Sequence, residues 1–302
     1  MFPWADGGNL REFWAREDSR QRTPELILWC FQQMLGLVGA LKDLHSANCR
    51  HGDLKPENIL HFKGRGEGIL VVADVGVSRV HKDETSIRNA PTSTRATTPS
   101  YEAPEAQPNQ QTPRSRRYDM WSMGCIFLEF AVWILYNLEA INSFRRSRKS
   151  KDDPKTTHAN FYKRTSEGTV EIHSAVSEAM DTLREDPRCQ GGTALENLVK
   201  LIAEDLLRIE VSHRAKADKL YDRLKKIFQD AEKKPSSLLN TVDPPPTIPL
   251  VFRPTGPKQN STSPSNPEAG QGLQYSTSLD ENPNGVTFAT NADNHNHGTS
   301  VT

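Results

Sequence analysis

The residues best suited to chemistry stand close together in His51-Gly52-Asp53-Leu54-Lys55-Pro56-Glu57-Asn58. Transfer of a phosphoryl group to an alcohol asks for such types at such a spacing. A carboxylate, Asp53, accepts the proton of the attacking hydroxyl, and an amide five residues on, Asn58, holds a magnesium ion at the phosphates. Between them Lys55 is a cation suited to the charge of the group in flight. The bland alternative for the same string is a surface turn around Pro56 with solvated charges.

The rest of the chain decides between these readings. Asp74-Val75-Gly76 ends the apolar run Ile69-Leu70-Val71-Val72-Ala73. Thr98-Pro99-Ser100-Tyr101-Glu102-Ala103-Pro104-Glu105 follows, then Asp119-Met120-Trp121-Ser122-Met123-Gly124-Cys125, and later Arg214. In this order they resemble the H-R-D-L-x-x-x-N loop, the D-F-G and A-P-E motifs, the opening of the central helix and a conserved-type arginine of eukaryotic serine/threonine protein kinases. The resemblance covers roughly residues 1–230.

It implies a role for each matched position. Asp53 and Lys55 are the catalytic pair, and Lys55 is the choice of serine/threonine kinases. Asn58 and Asp74 hold magnesium, and Leu60 floors the adenine site, so ATP and Mg2+ are the implied cofactors and a protein the implied substrate. His51 belongs to the supporting segment. Thr98 bridges Asp53 and Lys55, Glu105 pairs with Arg214, and Asp119 ties the catalytic loop backbone to the central helix.

Two departures matter. Gly52 replaces the Arg of H-R-D, so it offers no side chain to a phosphorylated activation loop. Phosphomimetic changes at Thr92 or Thr94 are expected to leave any activity unaltered. Val75 replaces the Phe of D-F-G, a smaller residue but still apolar. The family's Gly-rich loop, strand lysine and helix glutamate have no counterpart here, and Met1–Leu10 resembles the hinge between kinase lobes. The chain therefore reads as a C-terminal lobe beginning at its hinge. Weak ATP binding and association through apolar surface left by the missing N-lobe are expected. The alternative function is a catalytically inactive kinase-like module that binds or scaffolds.

These residues need elements to position them. Asn9 to about Arg16 predicts a short helix. Thr23-Pro24-Glu25 is a helix start, and apolar residues recur with helical period from Leu26 to Leu44. Strands at 58–62 and 69–73, joined by a Gly-rich turn, predict a hairpin that brings Asn58 to Asp74. Met120 to Leu135 is apolar except for Glu129 and is shorter than a membrane span, so a buried helix is expected. A basic insertion at about 143–158 reads as a solvated loop. Val170 to Leu183, Leu195 to Leu207 and Ala215 to Phe228 read as amphipathic helices. From residue 232 the composition turns to Pro, Ser, Thr, Asn and Gly, which predicts a disordered tail over 232–302. The expected fold is mainly α with a small β-hairpin, a kinase-like C-lobe over 1–231 followed by that tail.

Acidic and basic residues balance at 38 each, leaving no global field for nucleic acid or membrane. Cys30, Cys49, Cys125 and Cys189 lack metal-ligand spacing and fit a reducing, intracellular setting, cytoplasmic or nuclear. Residues 1–20 contain no apolar leader segment.

Overall fold

The structure, a computed structural model, describes residues 4–64, 66–74, 79–80, 99–106, 115–149, 158–243 and 246–253, with only the backbone at 79–80. All of them lie in one compact unit, Met1–Pro257.

Helix α1 (Leu10–Arg16) begins where Asn9 and Glu12 form a reciprocal capping box, and it buries Leu10, Phe13 and Trp14. Helix α2 (Pro24–Ser46) starts on Thr23, whose hydroxyl accepts from the Leu26 N–H at 3.3 Å. Strand β1 (Cys49–Arg50) then pairs antiparallel with β4 (Arg79–Val80). The predicted hairpin forms from β2 (Ile59–Phe62) and β3 (Ile69–Val72), with Ile59 opposite Val72 and Phe62 opposite Ile69. Gly7 anchors the N-terminal segment to it, donating to the His61 carbonyl at 3.0 Å. A Cβ on Gly7 would lie 2.7 Å from that oxygen, so the close approach requires glycine.

Helix α3 (Arg117–Leu135) is the axis of the core, buried at every residue from Tyr118 to Leu135. That explains an apolar run with no polar face. Helices α2 and α3 both have the length and composition to cross a membrane, but the apolar window of α3 is packed entirely inside the protein. Gly124 lets α3 approach a π-turn at Ile202–Leu206: an added Cβ would stand 2.8 Å from the Leu206 Cβ. Gly124→Ala is expected to destabilise by about 1–3 kcal/mol through overpacking, read from the urea midpoint.

The remaining elements are α4 (Leu138–Ser147), the antiparallel pair β5 (Tyr162–Arg164) and β6 (Val170–Ile172), α5 (Ser174–Glu185), α6 (Ala194–Leu201) and α7 (Ala217–Lys233). The architecture is mainly helical with small antiparallel sheets, as expected. Four details differ from the sequence reading. The helix expected from Val170 starts at Ser174, because 170–172 pairs as a strand and His173 caps the helix by accepting from the Ala175 N–H. The helix expected over Leu195–Leu207 gives way to the π-turn after Leu201.

The start of the basic insertion is no solvated loop. It continues α4, which buries Phe144, and Arg148 is only 3 % exposed. Its guanidinium lies 4.0 Å from the Phe144 ring centre and 3.7 Å from that of Phe161. Nor does packing stop at 231. The Leu238 carbonyl accepts from the Leu195 N–H at 3.2 Å, and buried Phe252 lies 5.0 Å from the Tyr136 ring. Isolated hydrophobics such as Leu238, Val251 and Phe252 need no core of their own when each fills a gap in an existing surface. The remainder of the expected tail, 254–302, and residues 150–157 of the insertion lie outside the described residues.

Candidate active site

The site is built on Asp119, at the start of α3 and fully buried. One carboxylate oxygen accepts the His51 N–H at 2.9 Å and the His45 Nε2–H at 2.8 Å, and the other accepts the Gly52 N–H at 2.9 Å. The catalytic-loop backbone is thereby fastened to the rigid core helix. Gly52 can turn there because its φ is +86°, in the left-handed region that glycine enters without steric cost. Burial alone would raise the Asp119 pKa, but hydrogen bonds from His45 and the loop amide hold it below its ordinary 3.8.

A depressed carboxylate stabilises the fold fully above its unfolded value and loses that contribution as pH falls through the lower folded one. Acid unfolding of the wild type should therefore carry a proton-linked slope below about pH 3.8. Asp119→Asn is expected to flatten that slope and to be less stable than wild type at neutral pH, measured by urea melts across the acid range.

His51 clamps the loop to the end of β3. Its Nε2–H donates to the Ala73 carbonyl at 2.8 Å, while Nδ1 accepts from the Asp53 N–H at 3.3 Å. These partners define the neutral tautomer with the proton on Nε2. Asp53, Lys55 and Asn58 are joined directly. The Lys55 Nζ donates to Asp53 Oδ2 at 2.9 Å, and the Asn58 Nδ2 donates to the Asp53 carbonyl at 2.8 Å and reaches Oδ2 at 3.3 Å. The Ala73 N–H donates to the Asn58 carbonyl at 2.9 Å, which sets Asp74 beside Asn58.

Asp74 is exposed and sits at φ +59°, a left-handed conformation that Asp tolerates better than most residues and that concentrates at functional sites. Leu60, in β2, is half-buried and bridged to Asn9. Thr98, Val75, Gly76, Thr92 and Thr94 lie outside the described residues.

The donor set fits magnesium. With its amide nitrogen turned to Asp53, Asn58 retains Oδ1 as an acceptor, and Asp74 directly follows Ala73, whose N–H is bonded to the Asn58 carbonyl. Mg2+ takes hard oxygens and commonly uses one or two protein ligands beside phosphate and water. No cluster of three His, Cys, Asp or Glu suited to a metal occurs among the described residues, and magnesium of this kind needs none.

Glu105 and Arg214 meet as a bidentate pair at 2.7 and 2.8 Å. Arg214 Nε also donates to the Arg208 carbonyl at 2.6 Å, and its guanidinium faces the Trp121 ring at 5.1 Å. The end of the activation segment is thus fastened to the same core helix as the catalytic loop.

A further network escaped the sequence reading. Arg11 donates to Glu57 at 2.7 Å and to the Tyr101 hydroxyl at 2.9 Å, and that hydroxyl donates to Glu129 at 2.7 Å. Arg148 completes it, donating to Glu129 at 3.0 Å. Burial, with the Glu129 carboxylate alongside, pushes the Tyr101 hydroxyl well above its ordinary range, so it remains a donor. The lone charge of Glu129 in an apolar run was the available signal, since a buried charge demands a partner.

The family model for the protein kinase domain matches residues 4–223, and the chain belongs to that family. It is 32 % identical over 199 residues to Serine/threonine-protein kinase nekl-2 of Caenorhabditis elegans, covering 62 % of this chain and 52 % of that protein. It is 36 % identical over 96 residues to Serine/threonine-protein kinase chk-2 of the same species, covering 32 % of this chain and 19 % of that protein. To Serine/threonine-protein kinase 36 of Mus musculus it is 40 % identical over 96 residues, 32 % of this chain and 7 % of that protein. The chain spans about half the length of nekl-2 and smaller shares of the other two.

Proposed function

We propose that this chain carries the catalytic lobe of a serine/threonine protein kinase acting on protein hydroxyls inside the cell. The observation that carries the reading is the bonded trio Asp53, Lys55 and Asn58, held on a loop whose backbone is fastened to Asp119. Asp53 orients the substrate hydroxyl and takes its proton. Lys55 offsets charge on the phosphoryl group as it leaves. Asn58 and Asp74 would hold the metal, and Leu60 would lie against the adenine. Bound Mg2+ and ATP supply the transferable phosphoryl group and the cation that offsets its charge. The test is incubation of the gene product with labelled ATP, Mg2+ and a generic protein substrate. Magnesium-dependent phosphoserine or phosphothreonine is expected, and its absence would overturn the assignment in favour of a non-catalytic binding module.

The lysine and Gly-rich loop that grip the phosphates in this family are not among these 302 residues. Transfer relies on positioning and charge stabilisation, so the 302 residues by themselves are expected to bind ATP weakly. Micromolar Mg-ATP should give no clear thermal shift of this chain alone, and a marked shift would show that the lobe holds nucleotide unaided.

A further inference from the structure

A cavity of about 490 Å³ lies behind the catalytic loop, where the end of α2 meets the starts of α3 and α7. Its walls carry Lys42 from α2, Arg116 and Arg117 at the start of α3, and Lys216 just before α7. The one acid among its lining residues is Asp218. None of the four cations forms an ion pair with any described carboxylate. By contrast, Arg11, Arg148, Arg188 and Arg214 each meet an acid. Lys42, Arg116 and Arg117 are also half-buried, so water shields them less than cations on an open surface.

The backbone adds to the same sign. The residue preceding α3, Arg116, and that preceding α7, Lys216, provide no side-chain cap, so two helix starts carrying partial positive charge border one cavity. The opposing negative end of α2 is covered, because Arg116 donates to the His45 carbonyl and, at 3.0 Å, to Asn48. Arg117 is held by the Val211 and Ser212 carbonyls at 3.2 and 3.0 Å. The two arginines are thus placed by carbonyl and amide oxygens, with no described carboxylate bonded to either guanidinium.

We propose that this cavity binds a phosphate monoester, a compact dianion whose charge answers the excess of cations. The cavity lies within the size range of small-molecule sites. Met120, Val211 and Ala217 give it an apolar component that suits the carbon skeleton bearing the phosphate. A recess of this size does not suit an extended nucleic-acid backbone or a flat lipid surface, and the chain has no net charge to attract either. The site is separate from the catalytic trio and stands independently of the kinase reading.

The test is calorimetric titration of the full chain with inorganic phosphate at ionic strength fixed by chloride, beside a phosphoserine peptide and its unphosphorylated twin. Saturable phosphate binding is expected, lowered about tenfold or more in the double variant Lys42→Glu/Lys216→Glu through two reversed charges. Neither lysine side chain makes a hydrogen bond among the described residues, and Lys42 overlies the Tyr221 ring at 4.7 Å. Should the double variant fail to fold by circular dichroism, exposed Lys216→Glu alone should still weaken binding severalfold. Lys55→Ala, at the catalytic loop, should leave the affinity intact. A phosphopeptide that binds more tightly than inorganic phosphate assigns the ligand to a phosphorylated protein, and equal affinities assign it to a small phosphorylated molecule. Absence of saturable binding, or binding lost in Lys55→Ala but kept in the charge-reversed variants, overturns the proposal.

Discussion

Asp53→Asn is expected to lower phosphate transfer to a protein hydroxyl by about 10²–10⁴-fold, the usual contribution of a general base. The amide is nearly isosteric but takes no proton at neutral pH. It also presents an N–H on one side, whereas Asp53 now accepts from both Lys55 and Asn58 on one oxygen. The loop backbone should hold its place, because its anchors are Asp119 and His51 rather than the Asp53 carboxylate. The loss should therefore fall on kcat, with the KM for ATP little changed and the thermal midpoint close to wild type. A variant that keeps most of its transfer rate would remove Asp53 from the chemistry and the catalytic reading with it.

Arg214→Ala should produce the largest loss of stability, about 3–5 kcal/mol, the usual result of breaking a buried pair from one side. The Arg214 side chain is fully buried and the Glu105 side chain is 12 % exposed, so water cannot replace the lost partner well. The change also strands the carbonyls of Arg208, Ile209 and Arg117, which now accept from the guanidinium. Arg214→Lys should recover only part of the loss, since a single ammonium cannot reproduce two parallel bonds to Glu105. With typical domain stabilities of about 5–15 kcal/mol, the alanine variant should show a greatly reduced urea midpoint. A near-neutral outcome would mean that the activation segment is not fastened to the core through this pair.

Much of the site was legible because its chemistry sits in short strings. The spacing from His51 to Asn58 lies in one loop, and the hairpin that carries Asp74 back to Asn58 announces itself by two apolar runs around glycines. Helices α2 and α3 were legible from periodicity and from unbroken apolarity, which are local properties of a chain. The basic run after Ser143 misled because charge density says nothing about the length of the stem beneath it. Arg148 buries its guanidinium against two aromatic rings and donates to Glu129.

From the amino-acid order alone came the kinase motifs, their succession and the main helices, each encoded within a few neighbouring positions. Folding in three dimensions decided which charges find partners. It put His45 behind Asp119, Arg11 against Glu57, and Phe252 on Tyr136, while leaving Lys42, Arg116, Arg117 and Lys216 around one cavity with no ion pair to a described carboxylate. Such pairings join residues scores of positions apart, and no local period records them. They exist only because burial makes an unpaired charge costly and because the packed helices determine which side chains come within reach.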